Sequence, residues 1–241
     1  MYDRLNEQEK HNIKKYRHEL KFVCDERQLM LLEEKIKHIC ALDSHSRSDG
    51  KYLVRSLYFD TYDDRCFYEN VDGVDLRKKY RIRLYNGNAD SVHLECKETV
   101  HGLKSKDTCQ LTKQQCRQLM YNQPVTGLLP HQELLRSFLI QRSIQLFRPK
   151  VIVEYERTPY VHELGNVRVT FDRYICSSSA INHFLENKIS GRSIMEQGSH
   201  ILEVKYDEGL PGAIEEVLSS GQLLSRSSFS KYCLCRQYSM R

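Results

Sequence analysis

Polar and apolar residues alternate in several separated stretches of the chain. In Lys79-Tyr80-Arg81-Ile82-Arg83-Leu84-Tyr85, a period of two puts Tyr80, Ile82 and Leu84 on one face of a strand and Arg81 and Arg83 on the other. His93-Leu94-Glu95-Cys96-Lys97 repeats the arrangement with Glu95 and Lys97 as its polar pair. Asn86-Gly87-Asn88 between them is a hairpin signal, so antiparallel pairing predicts one shared face for Arg81, Arg83, Glu95 and Lys97. Comparable charged pairs two residues apart recur at Glu19/Lys21, Glu154/Glu156 and Glu203/Lys205, and Arg168 and Asp172 flank Thr170 in the same way. Arg157 falls off the parity of Glu154 and Glu156, and would reach their side only through a bulge or a strand end.

The remaining pattern predicts strands at residues 16–23, 51–60 (with Arg55 inside), 150–158, 167–173 and 200–207. Residues 100–106 read as a glycine-containing basic loop carrying Lys104 and Lys106, with a short strand at 107–111. Asp25 with Gln28, and Thr112 with Gln115, form capping boxes. The first box opens a helix facing inward through Leu29, Leu32, Ile36 and Ile39, and the second a helix to about Tyr121. A helix of about four turns follows through Leu134, Leu135, Phe138 and Leu139, stopped by Pro149. Residues 211–218 and 227–238 read as closing helices, the second serine-capped with Lys231 in its first turns. Residues 65–75 are ambiguous apart from a turn at Asp72-Gly73, and 177–179 open a polar insert. Residues 1–15 form a polar lead-in to one domain that spans the chain.

A single charged pair on a strand is ordinarily a solvated face. Recurrence in six segments changes that reading. The helices are amphipathic and need apolar partners, so the sheet's apolar face should meet them and its charged face should curve round to meet itself. The expected fold is α+β: an antiparallel barrel or tunnel of about eight strands, with helices packed outside and at the C-terminal end. Two like charges about 6 Å apart at an effective dielectric near 20 repel by roughly 3 kcal/mol. Arg81, Arg83, Lys97, Arg168 and Lys205 in one enclosure therefore call for counter-charge. The glutamates supply part, and a polyanion with a divalent cation would supply the rest. Arginine offers forked donors to phosphate oxygens and lysine a point charge, which fits phosphoryl transfer.

Composition narrows the classes. The 241 residues are 40% hydrophobic and 10% aromatic, enough for a packed core and against disorder. The 37 basic and 32 acidic side chains leave only +5, spread without a basic tail. The nine cysteines show no paired zinc-site spacing, and no His pair has metal-ligand spacing. The first fifteen residues lack an apolar signal core, and no stretch approaches the roughly 18 apolar residues of a membrane span. A soluble cytoplasmic protein is the expectation. Walker-type, serine-elbow and cysteine–histidine signatures are absent. Nucleic acid is not expected as a partner, because the aromatics do not interleave with the arginines as a stacking platform requires.

Eight short motifs occur in order: Arg17-His-Glu-Leu-Lys21, Ser56-Leu-Tyr-Phe-Asp60, Arg81-Ile-Arg83, Glu95-Cys-Lys97, Glu154-Tyr-Glu-Arg157, Arg168-Val-Thr-Phe-Asp172, Ile201-Leu-Glu-Val-Lys205 and Phe229-Ser-Lys-Tyr232. Together they resemble the VTC-type polyphosphate polymerase domain of the triphosphate tunnel metalloenzymes, from about residue 16 to 238. The resemblance implies a cation-lined tunnel of eight antiparallel strands in which the γ-phosphate of ATP is added to inorganic polyphosphate, releasing ADP, with Mn2+ preferred or Mg2+ in its place. It implies that Lys21, Arg81, Arg83, Lys97, Arg157, Arg168 and Lys231 grip phosphate, and that Lys104, Lys205 and Ser230 assist. Glu203 would be the principal metal ligand, with Glu19 beside it. Related tunnel hydrolases carry a run of alternating glutamates before the lysine, whereas here Arg17 takes the first such place, which favours the polymerase branch. Triphosphate hydrolysis, nucleotidyl cyclisation and non-catalytic binding of polyphosphate or nucleotide remain the alternatives, and a membrane-protein partner is compatible with all of them.

Overall fold

A computed structural model describes residues 15–220, 224–228 and 230–240. Apart from Lys15, the lead-in lies outside the described residues, as does Phe229 of the last motif.

Alternation produces the strands. β1 (His18–Asp25) leads through the Asp25/Gln28 capping box into α1 (Glu26–Lys37), which buries Leu29, Leu32 and Ile36. After the two-residue β2 (Ala41–Leu42) comes β3 (Tyr52–Asp60), then α2 (Arg65–Val71) over the ambiguous segment. β4 (Arg77–Tyr85), β5 (Val92–Val100) and β6 (Leu103–Leu111) form a meander. Asn86 and Gly87 turn the first hairpin with φ of 52° and 70°. The basic segment 100–106 is not a loop. His101 and Gly102, at φ 47° and 78°, make a two-residue turn, so Leu103 to Lys106 pair with β5 and the strand is nine residues long. Lys104 and Lys106 thus stand on a strand, because Gly102 supplies the left-handed backbone a tight hairpin needs.

α3 (Lys113–Met120) starts at the Thr112/Gln115 capping box, and α4 (Glu133–Gln145) follows. α4 ends on Leu146 in the left-handed region, not at Pro149, which lies inside β7 (Arg148–His162). β8 (Val167–Ser178), β9 (Arg192–Ser193), β10 (Ser199–Tyr206), α5 (Gly212–Ser220), β11 (Ser225–Arg226) and α6 (Lys231–Met240) complete the described strands and α-helices. α6 begins four residues later than the serine at 227 suggests, with Ser230 Oγ accepting from the Cys233 amide at 3.4 Å.

All the described strands belong to one sheet in the order β11-β1-β10-β8-β7-β3-β4-β5-β6, with β2 beside β7 and β9 beside β8, and each of these pairings is antiparallel. Eight of these strands are long, and the sheet curls until its ends approach. No ladder joins β1 to β6. They meet at one bridge, where Arg17 and Lys104 exchange backbone hydrogen bonds of 2.9 and 3.0 Å. The result is a tightly curled tunnel rather than a fully hydrogen-bonded barrel.

Apolar residues cover both sides of part of this wall. Outside, Leu57, Phe59, Ile82, Leu84 and Leu94 pack with Leu119, Leu135 and Phe138 of α3 and α4. Also outside, against another part of the sheet, Phe22, Val169, Phe171, Leu202 and Val204 pack with Leu29, Leu32 and Ile36 of α1 and Ile214 of α5. A third cluster lies on the inner face, where Val54, Val151, Val153, Ile175 and Ile201 meet Tyr232, Cys233 and Cys235 of α6. α6 is thus held against the inside of the curl. Buried Asp60 fastens it, accepting from the amides of Thr61, Cys66 and Phe67 and from the Tyr232 hydroxyl. No described helix is long and apolar enough to cross a membrane.

Candidate active site

The polar part of the inner face encloses a cavity of about 500 Å3. All twelve residues singled out from the sequence line it: Glu19 and Lys21 on β1, Arg81 and Arg83 on β4, Lys97 on β5, Lys104 on β6, Arg157 on β7, Arg168 on β8, Glu203 and Lys205 on β10, Ser230 before α6 and Lys231 at its start. The convergence of the ten on strands follows from strand parity, and α6, packed on the inner face, brings Ser230 and Lys231 to them. Residues two apart share a face, and the ladders then set the neighbours: Glu19 stands opposite Lys205, Lys21 opposite Glu203, and Lys205 opposite Arg168.

One expected pair is elsewhere. Glu154 and Glu156 face outward, Glu154 accepting from buried Arg55 Nε at 2.5 Å and Glu156 from Lys51 at 2.9 Å. Tyr155 and Arg157 take the inward positions. The parity of β7 is set by Val151 and Val153, which are wholly buried in the inner cluster. The irregularity does exist, but it sits on β8: between Glu154↔Cys176 and Glu156↔Arg173, β8 carries one residue more than β7, and Tyr174 there has φ 55°.

Charge divides the cavity into two walls. On the β1/β10 wall, Glu19 accepts from Lys21 at 2.8 Å and Lys97 at 2.6 Å, and Glu203 pairs with Lys205 at 2.5 Å. Burial works to raise both carboxyls, but the lysines outweigh it and hold both well below the usual range. On the β4/β5 wall, Glu95, 2% exposed, takes Arg81 at 2.6 Å and Lys106 at 2.9 Å, with Arg83 at 3.8 Å. Arg83 also donates to Ser56 Oγ at 2.9 Å and Tyr155 Oη at 3.3 Å, and Arg81 to Tyr58 Oη at 2.8 Å. Arg168 pairs with Asp43 at 2.7 Å and donates to Tyr52 Oη at 3.1 Å.

Asp172 joins the walls to α6. It binds the Arg157 guanidinium through both oxygens at 2.6 and 2.8 Å and the Lys231 ammonium at 2.6 Å. Both cations also lie over the Tyr155 ring, at 5.2 and 5.0 Å from its centroid.

Neutralisation is far from complete. Among the described residues lining the cavity, fourteen are Lys or Arg and two are Glu. Among the described residues, Arg168 Nε is buried there without a hydrogen-bond partner. No group of three or more His, Cys, Asp or Glu side chains among the described residues is placed to hold a metal. Such a chamber attracts an anion with several charges and many acceptor oxygens.

Sequence reasoning missed Arg77 and Lys79, which line the cavity four and two residues before Arg81, and Tyr52, Tyr58 and Tyr155. The alternation Arg77, Lys79, Arg81, Arg83 was visible in the sequence. The tyrosines carried no such signal, since aromatic residues are at home on either face of a strand.

Comparison with known proteins agrees with this fold. The model of the VTC domain family matches residues 16–240. A putative adenylate cyclase from Bacillus halodurans superposes with a TM-score of 0.55 at 14% identity, over 89% of this chain and 93% of that one. A putative adenylyl cyclase from Hippeastrum, described as revealing a dominant triphosphatase activity, gives 0.55 at 15% identity, over 93% and 96%. The PH1819 protein from Pyrococcus horikoshii OT3 gives 0.50 at 14%, over 92% and 99%. No curated protein sequence matches the chain.

Proposed function

Since the chain belongs to the VTC domain family, we propose that it is a polyphosphate polymerase, an ATP–polyphosphate phosphotransferase that adds the γ-phosphate of ATP to an inorganic polyphosphate chain within the cavity and releases ADP. The observation that carries this reading is the excess of cations in one enclosure: fourteen Lys and Arg line it with Glu19 and Glu203, and even with Glu95, Asp172, Asp43 and Asp207, which pair with them from behind, six acids face fourteen bases. A single monophosphate would leave most of that charge unmatched, whereas a chain of phosphates meets it along its length.

Arg81 and Arg83 offer forked donors to non-bridging oxygens, and buried Glu95 and the Tyr58 and Tyr155 hydroxyls hold their guanidinium groups in place. Arg157 and Lys231 face the same space, kept charged by Asp172. Burial alone would lower both groups, and the carboxylate raises them. Arg168 Nε supplies a donor awaiting an acceptor. Together these groups neutralise charge on the transferring phosphoryl group and keep donor and acceptor in line.

A divalent cation, Mn2+ or Mg2+, fits the donor set. Glu203 and Glu19 are hard oxygen donors on neighbouring strands, and with no third protein ligand placed beside them among the described residues the remaining positions would go to phosphate oxygens and water, as Mg2+ prefers. Bound there, the cation would act as a Lewis acid on the phosphate oxygens.

The test is product analysis. Purified protein incubated with ATP and Mn2+ should yield ADP and a ladder of polyphosphate chains. Orthophosphate alone would assign triphosphate hydrolysis instead, cyclic nucleotide would assign cyclisation, and saturable polyphosphate binding without turnover would assign a binding module.

A further inference from the structure

The cavity faces of β4, β5 and β6 present their side chains in four rows across the meander. Arg77, Thr99 and Lys104 stand opposite one another, then Lys79, Lys97 and Lys106, then Arg81, Glu95 and Thr108, then Arg83, His93 and Gln110. Counter-charge fades along these rows. Glu95 serves Arg81, Arg83 and Lys106, and Glu19 reaches across from β1 to Lys97.

No carboxylate among the described residues pairs with the cations at the far end. Arg77 donates to the Val74 carbonyl, Lys79 to Asn70 Oδ1 and to Ser230 Oγ at 3.2 Å, and Lys104 to Thr99 Oγ1 at 3.2 Å. The acids nearby are engaged elsewhere. Glu98, on the other face of β5, pairs with Lys78 at 3.2 Å and accepts from Tyr16 Oη at 3.1 Å, and Asp75 takes the Gly102 amide at 3.0 Å and His101 at 2.8 Å, acting on Arg77 and Lys104 only through space.

Cations clustered on neighbouring strands are unfavourable by themselves. Burial, with Lys21 and Arg77 nearby, pushes the Lys79 ammonium down to about 8, and burial with Arg77 lowers Lys104 as well. Neutral hydrogen-bond acceptors orient these groups without cancelling their charge, which is the arrangement of a built anion site.

We propose that Arg77, Lys79 and Lys104 form a second phosphate subsite, which engages the part of an inorganic polyphosphate chain lying beyond the phosphates held by Arg81 and Arg83. It makes affinity depend on chain length. The proposal rests on the reading of the cavity as a phosphate-chain site. Rows follow one another every two residues, about 6.8 Å, so Arg77 and Arg83 are separated by about 20 Å along β4. A triphosphate seated at Arg83 spans a fraction of that distance and leaves the second subsite empty, whereas a longer chain reaches it.

The test is calorimetric titration of the whole chain with inorganic tripolyphosphate and with long-chain polyphosphate. The Arg77→Gln/Lys79→Met double variant should lose about a hundredfold in affinity for the long chain and less than about threefold for tripolyphosphate. The Arg77→Lys/Lys79→Arg variant should recover most of the loss. Lys104→Gln, measured separately, should lose about tenfold on the long chain alone, which keeps the question decidable if the double variant does not fold. Equal losses on both ligands, or none on either, would overturn the subsite while leaving the first site standing. Wild-type protein that binds neither ligand would overturn the reading of the cavity, and the subsite with it.

Discussion

Asp172 holds Lys231 at 2.6 Å, and this contact attaches the first residue of α6 to the middle of β8. The same carboxylate binds Arg157 bidentately, so one wholly buried acid orients two cations of the cavity. Its own charge is secure: burial works to raise its pKa, but Arg157 and Lys231 outweigh that and leave it lowered.

Asp172→Asn should therefore cost more than a hydrogen bond. It leaves two buried cations without their shared counter-charge, a loss of about 3–5 kcal/mol for breaking a buried pair. Urea unfolding should show that drop, and added tripolyphosphate should restore part of it by replacing the negative charge. A variant as stable as the wild type without ligand would remove Asp172 from this role.

Glu203→Gln should leave the fold intact and abolish metal-dependent turnover of ATP, by at least about a hundredfold, if the carboxylate holds the cation. Circular dichroism checks the first half, and turnover over a Mn2+ titration the second. Full activity at ordinary Mn2+ concentrations would refute the metal assignment.

Arg83→Met probes the crowding of charge. Glu95 keeps Arg81 and Lys106 when Arg83 is removed, so no buried acid is orphaned. Burial and neighbouring Arg81 both act against the charge on Arg83. Replacing it with an apolar chain of similar length should leave the ligand-free protein as stable or stabilise it by about 1 kcal/mol. Tripolyphosphate affinity should fall at least about tenfold. A lower melting temperature together with unchanged affinity would contradict both expectations.

Lys79 predicts a pH dependence of stability. Its folded-state pKa, about 8, lies below the ordinary lysine value of 10.5. Between those values the unfolded chain binds more protons, so the wild type gains stability as pH rises through that window and carries the full penalty below about 8. The groups around it are Lys97 across the ladder, Lys21, Arg77, Cys66, Cys233 and the Tyr232 ring. Of these, burial keeps the Cys66 thiol and the Tyr232 hydroxyl protonated throughout the window. The stability advantage of Lys79→Met over the wild type should grow as pH falls from about 10 to 8 and level off below. Equilibrium unfolding of both proteins across that range measures it, and a constant difference would show that Lys79 does not titrate there.

Alternation of charged and apolar residues determined most of this protein. Period-two spacing identified the long strands and put Glu19, Lys21, Arg81, Arg83, Lys97, Arg168, Glu203 and Lys205 on faces that share one cavity, whereas Lys104, Arg157, Ser230 and Lys231 came only with the family resemblance. Capping boxes at Asp25/Gln28 and Thr112/Gln115 placed the starts of two helices. Both signals are local, fixed by residues a few positions apart. What depended on distant partners was decided only in three dimensions. β7 turns Tyr155 inward and Glu154 outward because Val151 and Val153 must be buried against α6, 80 residues further along the chain. The basic stretch at 103–106 becomes strand because β5 offers it a ladder. β1 and β6 touch at a single bridge because the twist of the whole sheet sets where its ends meet. The partners of the cations were also a tertiary matter. Arg81 and Arg83 have buried Glu95, while Arg77 and Lys79, on the same strand and the same face, have only neutral acceptors, since strand parity places a charge but packing decides whether an opposite charge reaches it.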